Sequence, residues 1–432
     1  MPVTEPSPIR SDQGKSTPGR VCNLQINCRK PGVLIPGPFP ASVFLFPVIA
    51  VIFLVSCTGQ TGQHVPEHLL AYENLTVYDE DAAPAAAIRI EKRAHYPGEE
   101  NIHFAQIHAI DVDDEGNVYI ADIGDGSAGI HVFSDDGSYI GKTGRDGDGP
   151  GEFRGLMDIH VSGDSLFALD VSLNRIQIFS LPDRTLADIV MYDTRGLVTD
   201  PLPGGFPQII YPVQLLAARD ESILMSFVRT DYTIDTLLVH QVNFDGEFVQ
   251  RDILKIRHGE WLGAPDVPSR FPAVFLDRGF IQMTADNHII VANGTEILIK
   301  EFNMDGVYQR AFYHPFRNRT LDSSELSEMY GTEEEVLSQL QRILRYNTLP
   351  SVGPAFDAMV VDDENRIWIA TIVDDREERE WWVMDRQGKL QSKFRWPAGR
   401  EIRKIAKGSI YALDSNPETY EETVGRYSFF LE

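Results

Sequence analysis

The sequence predicts an all-β chain: a six-bladed β-propeller of four-stranded antiparallel blades, closed by an N-terminal strand, with a small helical insertion near 321–346. Three observations carry that prediction. A unit of apolar run, acidic or glycine turn and second apolar run recurs six times along the chain. A second hairpin signal, most often Asp-Gly between apolar runs, follows most of these units. The last unit ends in a lone strand at 426–432, while 86–92 alternates apolar and polar residues ahead of the first complete unit.

The six first halves fall at 110–122, 159–170, 215–226, 281–292, 359–370 and 402–414. The second halves are clearest at 130–140, 242–249, 302–308 and 383–390, where a turn glycine reaches positive φ without strain. Six first halves against five complete second halves leave one blade a strand short. An open edge is a standing site for aggregation, and borrowing 86–92 from the other end of the chain removes it. The ring therefore spans residues 72–432 as one domain.

Ahead of the ring, residues 31–66 contain no Asp, Glu, Lys or Arg, and 41–56 are almost wholly apolar behind Arg29 and Lys30. Leu54-Val55-Ser56-Cys57 closes that stretch, with the cysteine directly after a small residue. On these residues the chain resembles a bacterial lipoprotein precursor, in which the peptide is cut before the cysteine and its sulfur acylated. An uncleaved membrane helix fits less well, since the strongly apolar part is only about sixteen residues, against roughly twenty for a span, and contains Pro47. The resemblance implies that 1–56 is removed or disordered, that Cys57 is the lipid attachment site, and that 57–71 is a polar tether. It also implies a cell-envelope location, periplasmic or surface-exposed. Of the three cysteines, Cys22, Cys28 and Cys57, only Cys57 would survive cleavage, so no disulfide or thiolate metal site is expected in the mature chain.

Charge narrows the partners. The chain carries −25, and the five basic and two acidic side chains of residues 1–56 leave about −28 on the remainder. Such a surface repels phosphate backbones, which argues against nucleic-acid binding. With 43% hydrophobic and 24% charged residues, the composition is that of a folded domain and not of an acidic tail.

The connector Gly144-Arg145-Asp146-Gly147-Asp148-Gly149-Pro150-Gly151-Glu152-Phe153 is similar to one found in six-bladed NHL-repeat propellers. Asn174-Arg175-Ile176-Gln177-Ile178-Phe179 resembles the third strand of an NHL repeat. The likeness is strong over 103–180, fair over 357–394 and faint over 200–320. It implies the propeller fold. In calcium-dependent lactonases and amidating lyases of six-bladed type it further implies Asp, Asn, Glu or His side chains in the central channel.

One stretch departs from the strand pattern. Val336, Leu337, Leu340, Ile343 and Leu344 make an apolar stripe at helical spacing, Thr332 with Glu335 fits a capping box, and 321–330 has helical spacing as well. One or two helices are expected between the fourth and fifth blades, packed across a propeller face as a decorated loop, a lid or a docking element.

Chemical motifs are sparse. The Gly-rich connector lacks the Lys-Ser or Lys-Thr of a phosphate loop, and the mature chain has no His-Glu-x-x-His, Gly-x-Ser-x-Gly or Cys-x-x-Cys. The run 122–127 has the composition of a calcium loop without its closing glutamate, so no cofactor is identified and calcium stays the candidate. A site then falls to the channel, where the inner strands converge. Residues entering those strands are His103, His108, Asp158, Tyr211, Asp357 and Arg403, a mixed polar ring. The reading favours a non-catalytic module that binds a small polar ligand or an envelope protein, tied to the membrane by its lipid. Its alternatives are a metal-assisted hydrolase or lyase, and a carbohydrate or peptide receptor using Trp261, Trp381, Trp382 and Trp396.

Overall fold

The structure is a computed structural model, and it describes residues 66–97, 102–124, 126, 128–198, 208–219, 221–231, 233–264, 267–273, 278–321, 334–348, 350–416, 418–419 and 421–432. The chain is an all-β six-bladed propeller, and the repeat read from the sequence marks its blades. Blade 1 is Ile107–Val112, Val118–Asp122, Gly129–Phe133 and Tyr139–Thr143, and blade 2 runs from Leu156–Ser162 to Thr185–Met191. Blade 3 opens on Ile209–Arg219, blade 4 on Gly279–Met283, blade 5 on Phe356–Val361 and blade 6 on Arg400–Ala406. Within each blade sequential strands pair antiparallel, so every hairpin is local in sequence.

One kind of turn recurs in four of the blades. In blades 1, 3, 4 and 5 the outer hairpin turns on a glycine at positive φ: Gly137, Gly246, Gly306 and Gly388. Each donates its N–H to the carbonyl of the Ser, Asn or Asp three residues earlier. At Gly246 a side chain is excluded twice over, by φ +84° and by the Met191 carbonyl oxygen 1.7 Å from where a Cβ would sit.

Strand alternation then distributes the core. One hydrophobic cluster fills each of the six seams between blades, because successive residues of a strand face opposite seams. Trp381 and Trp382 show this directly: the first packs into the seam with blade 6, the second into the seam with blade 4. With Trp396 they are 3, 5 and 6% exposed, so three of the four tryptophans considered for a receptor surface are core. Trp261 is half-buried, and its indole N–H donates to Asp235 Oδ2 at 2.9 Å.

The ring closes as the odd strand required. Ile88–Tyr96 pairs antiparallel with Glu422–Leu431, in the register Ile88↔Leu431, Arg89↔Phe430 and Ile90↔Phe429. Before that strand the chain forms a strap over blades 4 and 5. Leu69, in the short turn Glu67–Ala71, is buried against Leu298 and Ala311 of blade 4, inside the stretch assigned to the tether. Leu75–Val77 adds in parallel to the outer strand Tyr308–His314, and Tyr78 stacks on His314 with ring centroids 4.5 Å apart. Ala85 and Ala86 then donate to the carbonyls of Leu390 and Gln391 on blade 5.

One side chain ties the glycine-rich connector 144–153 to the third strand of blade 2, Arg175–Ser180. The Arg175 guanidinium donates to the carbonyls of Asp148, Gly149 and Glu152 at 2.7–3.0 Å, gathering the glycine-rich connector around one buried cation. Gln177 completes the arrangement by accepting from Gly151 N–H and donating to Glu152 O, 2.7 Å each. Arg175→Lys keeps the charge but loses the planar fork, so urea denaturation is expected to show a loss of about 2–3 kcal/mol. An unchanged midpoint would refute that role.

Of the expected insertion, Glu334–Tyr346 is helical, with Leu340 and Ile343 fully buried. It packs with Leu262, Val267 and Ala273, residues in and after the long fourth strand Phe248–Ala264 and the fifth strand Val267–Pro272 of blade 3. The proposed cap at Thr332, the first helix at 322–330 and the side chain of Leu337 lie outside the described residues.

Candidate functional site

The inner strands of all six blades border a cavity of about 930 Å³ along the propeller axis. Five of the six residues picked from the sequence line it: His108, Asp158, Tyr211, Asp357 and Arg403. His103 does not. Its side chain is 74% exposed on the rim, with Nδ1 3.3 Å from a Glu421 carboxylate oxygen. Cys57 lies outside the described residues.

Two tiers of polar groups occupy the wall. In the inner tier the Asp111 carboxylate, 5% exposed, takes Lys404 Nζ at 2.6 Å on one oxygen. Its other oxygen accepts the Val161 N–H at 2.8 Å and lies 3.5 Å from His160 Nδ1. Burial alone would raise the Asp111 pKa, but the Lys404 ammonium and the His160 contact outweigh it and hold the group well below the usual carboxylate range. Burial would likewise lower Lys404, and the Asp111 charge reverses that, so its pKa is raised. Asp158 repeats the staple one blade on, accepting the Leu215 N–H at 2.7 Å. It has no cation of its own; burial, with the nearby Asp111 charge added, pushes its carboxyl up to about 7. A blade-6 lysine, a blade-1 aspartate and a blade-2 aspartate thus stitch four inner strands together through their side chains.

The outer tier is looser. His108 is half-buried, and burial, aided by the Arg403 charge, lowers its pKa and keeps the ring neutral. Arg403 is shared with Glu401 at 3.0 Å, and Asp357 receives Arg379 Nε at 2.8 Å. Glu422 accepts the Ile107 N–H at 2.5 Å. Tyr211 stays 41% exposed at the wall.

Blade 3 breaks the symmetry. The other blades border the cavity chiefly with their inner strands, but blade 3 also contributes Ser226, Val228, Leu237 and His258 from its second, third and fourth strands. The inner strand Ile209–Arg219 also shifts register twice, between Pro212 and Gln214 and between Leu215 and Ala217, while staying paired with its neighbour from Ile209↔Thr230 to Arg219↔Ser222.

None of these positions other than the five named above was singled out from sequence. Asp111 and Lys404 carry a readable signal, since each puts a charge inside an apolar inner strand (Ile110-Asp111-Val112; Ile402-Arg403-Lys404-Ile405). Ser226 and His258 carry none, because each lies on a strand of blade 3 other than the inner one, and nothing in its own sequence neighbours marks it as bordering the cavity.

As to chemistry, no set of three or more His, Cys, Asp or Glu side chains among the described residues is arranged to hold a metal ion. In the calcium-like run, Asp122 is fully buried and its Oδ1 accepts the N–H groups of Ala105 and Gln106 at 3.1 and 2.8 Å, while Asp125 and Ser127 lie outside the described residues.

Residues 98–193, covering blade 1 and blade 2, match the family DUF5128, described as a 6-bladed beta-propeller. The fold is that of the family matched. No curated protein matches the chain. Among solved structures, one similar protein is from Bacteroides fragilis and provisionally described as exported, at 11% identity and TM-score 0.44, covering 83% of this chain and 99% of its own. Another is a streptogramin B lyase, at 10% identity and TM-score 0.36, covering 81% and 100%. A calcium-binding regucalcin of Agrobacterium tumefaciens stands at 9% identity and TM-score 0.38, covering 81% and 94%. Likeness at these levels carries no argument about chemistry.

Proposed function

We propose that the protein is a lipid-anchored envelope propeller of NHL-like type, non-catalytic, which binds a small polar ligand in its central channel. The observation that carries the reading is the cavity itself: about 930 Å³, bordered by all six blades, with neutral His108, half-exposed Tyr211 and the charged groups of Arg403 and Asp357 facing it from four of them. That is the make-up of a site which orients a ligand through a few convergent polar groups on a rigid frame. Binding is the reading preferred on the make-up of the wall, whose histidine, tyrosine, arginine and aspartate side chains suit the orienting of a polar ligand. The export signal and Cys57 supply the anchor, and a sulfur carrying two or three acyl chains holds a membrane stably.

Two measurements test this reading. Native mass spectrometry of protein extracted from its own host is expected to show a small molecule that leaves on denaturation and is lost in His108→Ala and Arg403→Ala. Protein that is empty in every preparation would overturn the channel assignment. Separately, the N-terminal peptide is expected to begin at Cys57 with a diacylglyceryl mass added. A chain retaining residues 1–56 without that addition would overturn the anchor and leave the channel untouched.

A further inference from the structure

The chain is fastened to blade 4 well before its closing strand. His68 Nε2 lies 3.0 Å from both carboxylate oxygens of Glu296, Leu69 is fully buried against Leu298 and Ala311, and Leu75–Val77 pairs with Ala311–Tyr313. The strap therefore limits the free chain between the ring and Cys57. From Cys57 to Ile88 the backbone could reach roughly 110 Å, far enough to turn any side of the ring to a bilayer, whereas from Cys57 to Pro66 it reaches at most about 32 Å.

That short tether leaves from the end of the ring where the inner strands begin. Glu296 lies in the turn between the second and third strands of blade 4, Ile289–Asn293 and Ile297–Phe302. In the same turn Gly294 donates its N–H to the Arg278 carbonyl at 2.9 Å, and its own carbonyl accepts the Ala355 N–H at 2.7 Å. Arg278 and Ala355 each stand one residue ahead of an inner strand, those of blades 4 and 5. His108, Tyr211 and Asp357 fall within the first three residues of theirs, so the tether and this polar mouth of the channel share one end.

The same end exposes large apolar side chains in the sector of blades 3 to 5. Leu70, Tyr346, Ile209 and Val352 are 70, 66, 57 and 43% exposed. Leu70 is two residues past the His68 contact, Ile209 opens the inner strand of blade 3, and Val352 lies four residues ahead of that of blade 5. Tyr346 ends the helix, and the next residue, Asn347, donates its Nδ2–H to the Gly263 carbonyl at 3.0 Å. Gly263 lies two residues beyond Trp261, whose N–H meets the Thr233 carbonyl in the turn after Thr230, the residue paired with Ile209. Scattered singly, such side chains need no partner, but a short tether holds these four at high effective concentration beside lipid.

We infer that this end of the propeller is a membrane-docking surface: it faces the bilayer that holds Cys57, with Leu70, Ile209, Tyr346 and Val352 resting on lipid. The inference rests on the lipid-anchor reading and not on what the channel binds. The acidic excess of the chain is repelled by anionic headgroups, so the surface that fits is zwitterionic. His108, Tyr211 and Asp357 then open toward the bilayer, and a ligand reaches them along the membrane surface.

The test uses spin labels on the acylated protein in phosphatidylcholine vesicles. Removal of residues 1–56 leaves Cys57 as the only cysteine, and acylation blocks it, so one introduced cysteine gives one label. On vesicles, labels at Ile209→Cys and Val352→Cys are expected to collide severalfold less with a water-soluble nickel chelate and more with oxygen, which concentrates in lipid. Asp164→Cys and Glu364→Cys, in exposed turns that follow the inner strands of blades 2 and 5 at the opposite end, are expected to change little. Four labels of equal accessibility, or shielding of the Asp164 and Glu364 pair instead, would overturn the docking surface while the acyl mass on Cys57 upholds the anchor. Protein with no acyl chain on Cys57 would remove the anchor and this orientation together.

Discussion

A chain beginning at residue 98 is expected not to fold, whereas one beginning at residue 84 folds into the same ring. The difference is the strand Ile88–Tyr96, the outer strand of blade 6, paired along its length with Glu422–Leu431. Without it, Tyr96, now fully buried, is gone, and Val424, Tyr427 and Phe429 lose their cover. Removing a buried aromatic alone destabilises by about 3–5 kcal/mol, and the whole folded state exceeds the unfolded by only about 5–15. An open sheet edge also offers itself to other copies. The shorter deletion removes only the strap over blades 4 and 5, whose one fully buried side chain is Leu69, so it is expected to lower the midpoint and keep the fold. Circular dichroism and size-exclusion chromatography separate the outcomes, and a peptide of residues 86–97 added in trans is expected to rescue the longer deletion. A stable monomer beginning at residue 98 would show that the ring does not depend on its closure.

Why that closure could be read in advance, and other features could not, follows from the range of the interactions. The hairpins at 110–122 and 242–249 are set by residues a few positions apart: a glycine at positive φ and alternating apolar side chains. Counting them is enough to show that one strand is missing, and alternation at 86–92 is enough to find it. The strap strand Leu75–Val77 is three residues long and parallel, held by Ala311–Tyr313 across most of the chain, and nothing in Leu-Thr-Val announces it. In the site, Asp158 and Tyr211 were legible as polar residues entering inner strands. The staple from Asp158 to Leu215 N–H was not, because a carboxylate that takes a backbone group of the next blade looks the same in sequence as one that faces a ligand. His103 fails for a related reason: it lies ahead of the strand Ile107–Val112, in the linker at the rim, and not on the wall.

The second large effect is expected at the inner tier, and it has opposite signs at its two aspartates. Lys404→Met strands the buried Asp111 carboxylate, and breaking a buried pair from one side destabilises by about 3–5 kcal/mol. Adding Asp111→Asn is expected to recover much of that loss, since the amide oxygen still accepts the Val161 N–H and no charge remains. In the wild type, the Asp111 pKa lies below its unfolded value, so its contribution is present above about pH 4 and lost as pH falls further. Asp158 runs the other way. Its pKa rises from 3.8 to about 7, so the folded chain keeps a proton that the unfolded chain releases. That contribution is complete below about pH 4 and is lost as pH rises to about 7, by no more than about 4 kcal/mol and less because one edge of the carboxyl meets the channel. Asp158→Asn keeps an acceptor for Leu215 and carries no charge. Urea denaturation at pH 5, 6, 7 and 8 is therefore expected to show the variant gaining on the wild type as pH rises, then holding a constant lead above pH 7. A difference that is flat with pH would mean that Asp158 is ionised throughout, with its charge compensated by Lys404 across the channel instead of being excluded by Asp111.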